Sequence, residues 1–184
     1  MSNSQALITE QTLNWVRFFI IEYNLCPFAK SPVNKGTLRI KVSNVRKKKQ
    51  ALEEFMSEIY LLNDNPNIET TLLVFAHAFK DFFTYLDFVD LAERLINEQG
   101  YEGIYQVATF HPDYYFAETD LDDVSNYTNR SLYPMVHLLR EESLEKAISF
   151  YGHTDIIPEH NIATMNHLGC EKIKNILQHC LKEC

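Results

Sequence analysis

The feature that most limits what this chain can fold into is the stretch Thr70–Ala76 (TTLLVFA). It is an unbroken, uncharged run of strand length, the pattern of a β-strand covered on both faces. Such a strand needs partners in a sheet and helices packed against it, and the flanking sequence provides both. Upstream, Thr37–Ser43 alternates, with Leu38, Ile40 and Val42 on one face and Arg39 and Lys41 on the other, so it reads as a half-exposed strand. Between the two, Leu52, Phe55, Met56, Ile59 and Leu62 recur at the spacing of an amphipathic helix, which Asn63-Asp64-Asn65-Pro66-Asn67 ends. Downstream, a helix from about Asp81 turns Phe82, Leu86, Val89 and Ile96 inward and stops at Gly100. Ile104–Phe110 is then a third strand.

Strand, helix, strand, helix, strand favours parallel pairing through right-handed crossovers. The expectation is therefore an α/β fold: a single domain over residues 1–184 with flanking helices and a small, mostly parallel sheet of about three to five strands. Function in such sheets gathers at the strand C-termini. Around this centre, Thr9–Asn24 reads as a first helix with Leu13, Val16, Ile20 and Tyr23 inward, ending at Cys26-Pro27. A later helix capped by Ser143 carries Leu144, Ala147, Ile148 and Tyr151 up to Gly152, and a last one carries Ile173, Ile176, Leu177, Cys180 and Leu181 on one face.

Charge narrows the partners. With 17 Lys and Arg against 25 Asp and Glu the formal net charge is -8, which repels phosphate backbones and anionic membranes, so neither nucleic acid nor membrane is an expected partner. The exception is local: Arg39, Lys41 and the run Arg46-Lys47-Lys48-Lys49 could attract an anion or form a solvated helix face. The N-terminal Met1-Ser2-Asn3-Ser4-Gln5 lacks the basic and apolar blocks of a leader, and no apolar run approaches the roughly 20 residues of a membrane span, so a cytoplasmic location is expected. Cys26, Cys170, Cys180 and Cys184 form no Cys-x-x-Cys pair and read as free thiols.

Polar residues concentrate after the third strand, in a connection long enough to suggest function. His111 follows the strand directly and Pro112 stops the strand from continuing, which places the imidazole at the sheet's rim. There it is either a general base or metal ligand, or it holds the loop together with Asp113. Met135–Glu141 fits a short helix or a strand; in both, His137 and Glu141, four residues apart, share a face and suit a metal site, a Glu-oriented base or a plain hydrogen bond. Arg130 and Arg140 are fork-shaped donors for a carboxylate or phosphate, aided by Asn126, Asn129 and Ser131, or they pair with Asp113, Asp120, Asp122 or Asp123. Cys26 reads as a packed thiol before a nucleophile, because a helix C-terminus disfavours an anion and Pro27 offers no N–H. No glycine-rich phosphate loop, His-Glu-x-x-His or Gly-x-Ser-x-Gly occurs.

Several segments together resemble a bacterial family catalogued as domain of unknown function 1415. They are Asn24-Leu25-Cys26-Pro27-Phe28-Ala29, Thr71-Leu72-Leu73, Phe110-His111-Pro112-Asp113-Tyr114, Asn126-Tyr127-Thr128-Asn129-Arg130-Ser131 and His137-Leu138-Leu139-Arg140-Glu141. Leu132 departs from the family, which carries proline after the Asn-Arg-Ser element. The resemblance points to the same segment and implies no mechanism.

The functional expectation is an enzyme for hydrolysis or group transfer on a small anionic molecule. His111, Asp113, His137 and Glu141 are its candidate catalytic residues, and Asn126, Asn129, Arg130, Ser131 and Arg140 its candidate substrate-binding residues. A divalent metal on the two His and two carboxylates is compatible with this set. A non-catalytic metabolite-binding module and a protein-interaction domain displaying Tyr114, Tyr115, Tyr127 and Tyr133 are the rivals. In the enzyme reading, His111→Ala or His137→Ala abolishes function with little change in stability.

Overall fold

The computed structural model describes residues 3–152 and 154–182. Strand β2 (Thr70–Phe75) is buried at every position, as its unbroken apolar sequence requires. It pairs in parallel with β1 (Leu38–Ser43), from Leu38↔Thr70 to Ser43↔Phe75, through the intervening helix α3 (Lys48–Asp64). Helix α4 (Phe82–Glu98) leads to β3 (Tyr105–Phe110), which runs in the same direction as β1 and β2 but is not β2's neighbour. Strand β4 (Met135–Arg140) enters between them, antiparallel to both, giving the order β1-β2-β4-β3.

The α/β class and the helix-flanked sheet are as expected; the pairing is not mostly parallel, since one pair is parallel and two are antiparallel. The reason lies in β4 itself. Met135, Val136 and Leu138 are fully buried, so this segment is suited to a central slot with a hydrogen-bonding neighbour on each side, and the edges fall to β1 and β3.

Each face of the sheet has its own core. On one, Leu73, Phe75, Val136 and Leu138 pack with α3 and α4, where Phe79 stacks on Phe88 at 4.6 Å between ring centroids. On the other, Ile40, Leu72, Val74 and Met135 lie beneath α1 (Asn3–Trp15), its π-helical continuation Val16–Ile21, and the long C-terminal helix over Ile157–Cys180. Short helix α2 (Lys30–Lys35) packs beside β1 and ends at Gly36, whose φ of 68° suits glycine.

Helix ends follow local chemistry. The Asp81 carboxylate accepts the Thr84 N–H and caps α4. Helix α5 (Glu141–Tyr151) starts immediately after β4 with no side-chain cap, so Ser143 lies in its first turn and is not the expected cap; Glu141 and Glu142 there complement the helix dipole instead. The C-terminal helix, α6, breaks at Gly169 (φ 72°, ψ 157°), a conformation that L side chains avoid. Cys26, Cys170 and Cys180 are free thiols, and Cys184 lies outside the described residues. Among the described residues no helix is long and apolar enough to cross a membrane.

Candidate functional site

The antiparallel entry of β4 decides where the sequence-predicted residues fall. Phe110 pairs with Met135 and Tyr105 with Arg140, so His111 lies at one end of the sheet and Arg140 and Glu141 lie at the other, about 20 Å away along a six-residue strand. The faces differ too. His137 pairs with Leu72 and so shares its face, that of the α1 and α6 core. The His111 ring lies 5.2 Å from Phe82 and 5.1 Å from Tyr85, on the α3 and α4 side. The structure therefore does not bring His111, Asp113, Arg130, His137 and Glu141 into one pocket.

His111 is fully buried and both ring nitrogens are in use. Nε2–H donates to the Phe79 carbonyl at 2.8 Å, and Nδ1 accepts the Asp113 N–H at 3.0 Å. A carbonyl only accepts and an amide N–H only donates, so the neutral Nε2–H tautomer is fixed. Burial pushes its pKa below the ordinary imidazole value, against the opposing pull of the Phe79 carbonyl, Asp113 and Asp81. The backbone target is itself unusual: Phe79 has φ 59°, a left-handed conformation that a bulky residue holds only when its surroundings impose it. His111 thus ties the β2–α4 loop to the end of β3. Asp113, exposed, contributes its backbone rather than its carboxylate to this anchor.

The neighbouring polar residues organise the same loop. Asn126 Oδ1 accepts from the Phe116 N–H and the Thr119 hydroxyl while its Nδ2 donates to the Asp120 carbonyl. Asn129 Nδ2 donates to the Thr109 carbonyl, and the Ser131 hydroxyl to that of Tyr133. Arg130 donates to the Tyr114 and Leu121 carbonyls at 2.9 and 2.6 Å and lies 4.7 Å over the Tyr127 ring. Arg140 donates to the Leu62, Asn65 and Ile68 carbonyls at the C-terminus of α3 and to the Tyr105 hydroxyl. These guanidiniums meet backbone carbonyls, neither an open anion site nor the aspartates proposed as their partners. Arg140 sits just past the C-terminus of α3, where the helix dipole favours a cation.

His137 is different. The Thr70 hydroxyl donates its single proton to the Leu138 carbonyl at 2.6 Å, so at 2.6 Å from His137 Nε2 it must accept. This fixes the Nε2–H tautomer and leaves Nδ1, on a half-buried side chain, with a lone pair and no partner among the described residues. Burial pushes the pKa down to about 4, and the ring is neutral at physiological pH. Across the sheet its row is Ile40, Leu72, His137, Ala108, so the neighbour on the β3 side is the small side chain of Ala108. Glu141 does not share this face, because the chain changes from strand to helix between the two residues. Among the described residues no group of three or more His, Cys, Asp or Glu is placed to hold a metal.

Sequence reasoning missed Thr70, whose role depends on a register contact 67 residues away, and Arg17, which lines a cleft between α1, α2 and β1. The second had a signal: Arg17 stands four residues after Leu13, next to the apolar stripe of the first helix. Cys26 behaves as expected of a packed thiol. Burial raises its pKa, although the N–H groups of Phe28 and Ala29 meet the sulfur and partly oppose the shift.

A four-stranded, helix-flanked α/β sheet, carrying an ordered polar loop at one end and a tautomer-locked histidine, His137, on one face, is the class this structure defines. The chain belongs to the family described as Protein of unknown function (DUF1415), whose model matches residues 7–175. No curated protein and no solved structure matches it.

Proposed function

We propose that the chain is a cytoplasmic enzyme that acts on a small anionic molecule by hydrolysis or group transfer, with His137 as its proton acceptor. One observation carries this reading: the Thr70 relay spends Nε2 and leaves Nδ1 free, oriented and unprotonated. Such a nitrogen can take a proton from water or a hydroxyl as that group attacks an electrophilic centre. An anion is the fitting substrate because a negative charge beside the ring favours imidazolium. Burial makes the base weak; a carboxylate or phosphate alongside raises its pKa toward the range where proton transfer is efficient. A specific observation favours the alternative of a metabolite-binding module: His111, Asn126, Arg130 and Arg140 are all engaged in holding the fold, leaving His137 few partners for chemistry.

Incubation of the purified protein with a metabolite extract, read by untargeted mass spectrometry, separates the two. Wild-type protein should deplete at least one anionic metabolite, and His137→Gln should not. Glutamine retains an N–H for Thr70 and removes the basic nitrogen. Equal depletion by both proteins would remove His137 from the chemistry, and retention of a metabolite without depletion would establish the binding module.

A further inference from the structure

Arg17 is exposed and makes no side-chain hydrogen bond or ion pair among the described residues, in a chain whose net charge is -8. Four other arginines are occupied: Arg39 pairs with Glu58 at 2.7 Å, Arg94 with Asp90 at 2.8 Å, and Arg130 and Arg140 with carbonyls. The free guanidinium stands at a cleft of about 290 Å³. Thr9, Leu13 and Arg17 line one wall at successive turns of the first helix, Val33 of α2 lines the other, and Leu38 and Ile40 of β1 form the floor. Gly36 lies at the rim and borders open space. The first helix passes into its π-helical segment at Val16, beside Arg17, and such wide turns recur at functional sites.

The lining specifies chemistry. Leu13, Val33, Leu38 and Ile40 offer hydrocarbon and few hydrogen-bonding groups, so the body of a ligand must be apolar. Arg17 at one end offers a planar fork for a carboxylate. The volume is at the small end of ligand pockets, enough for a medium-length alkyl chain and too little for a nucleotide. We propose that this cleft binds a medium-chain monocarboxylate of about eight carbons, its tail on Leu38 and Ile40 and its carboxylate on Arg17. The inference is independent of His137, which lies on the same face two strands away, beyond Leu72.

The test is direct binding to the full chain, with octanoate, octan-1-ol and octylammonium as probes, followed by amide chemical shifts. Octanoate should shift Leu13, Val33 and Ile40, and R17Q should weaken it about tenfold, the effect of losing a charged hydrogen bond. Octanol should bind more weakly than octanoate to wild type and equally to both proteins, and octylammonium should bind weakest. Because Arg17 is exposed, R17Q should keep the wild-type melting temperature, so weaker binding reports the contact rather than unfolding. Octanoate and octanol binding alike, octanoate binding indifferent to R17Q, shifts confined to other surfaces, or no binding at millimolar octanoate would each overturn the proposal.

Discussion

Replacing His111 by alanine should destabilise the fold severely, reversing the expectation that this residue is dispensable for stability. The ring makes two hydrogen bonds, to the Phe79 carbonyl and from the Asp113 N–H, each contributing about 1 kcal/mol net. Removal strands the Phe79 carbonyl, an added cost of about 1 kcal/mol or more. The ring contacts with Phe82 and Tyr85 and the void left behind contribute about another 1 kcal/mol. The total is about 4 kcal/mol, which for a chain of this size lowers the melting temperature by about 10 °C. Trp15, the chain's one tryptophan, is 1% exposed and packs edge-on against Phe110 at 5.3 Å, so its fluorescence reports on this corner during urea unfolding. His111→Phe separates the contributions, since it fills the space but loses both bonds; it should recover about 1 kcal/mol. A loss below about 1 kcal/mol in His111→Ala, at unchanged dependence on urea, would refute the anchor.

Acid should weaken the fold through its two buried imidazoles. Both have folded pKa values below the unfolded value near 6.5, so below that pH the unfolded chain takes up protons that the native state refuses, and stability is lost as pH falls. For His137 the loss between pH 6.5 and pH 4 is about 3 kcal/mol, and His137→Gln should remove that part of the difference when urea midpoints are compared across pH; identical pH profiles would contradict the assignment. Arg140→Met should cost about 2 to 3 kcal/mol and speed amide exchange in the last turn of α3, whose carbonyls it satisfies. Arg140→Lys should recover little, because an ammonium cannot reproduce the fork, and full recovery would indicate that charge alone matters.

The local parts of the fold were legible. Alternation in Leu38–Ser43 and the apolar run in Thr70–Phe75 carry their periods in their own residues, and Asp81 announces the start of α4. The place of β4 was not, because pairing order is a choice among distant edges and Met135–Arg140 carries no local mark of its neighbours. The dispersal of the candidate residues over the sheet follows from that. His137 and Glu141 obey a four-residue rule only while one element continues, and a helix begins at Glu141. Arg140 reads as an anion holder until its partners are seen to be carbonyls at a helix end 78 residues earlier. The polar density after Phe110 marks a long irregular segment, but the same residue types that bind ligands also satisfy such a backbone, and Asn126 and Arg130 do the latter.

The insertion of β4 also sets a timetable for a chain emerging from the ribosome. β1, α3 and β2 can assemble early, but the inner edge of β2 pairs with a strand completed only at Arg140, and Thr70 waits 67 residues for His137. Until then the most apolar strand of the protein presents a row of unpaired backbone groups, the condition under which strands pair with the wrong chain. β3, synthesised in between, cannot take that place without forfeiting the buried slot of Met135, Val136 and Leu138. A nascent chain stalled or truncated before Met135 should therefore be a substrate for chaperones, whereas one extended past Arg140 can close its sheet.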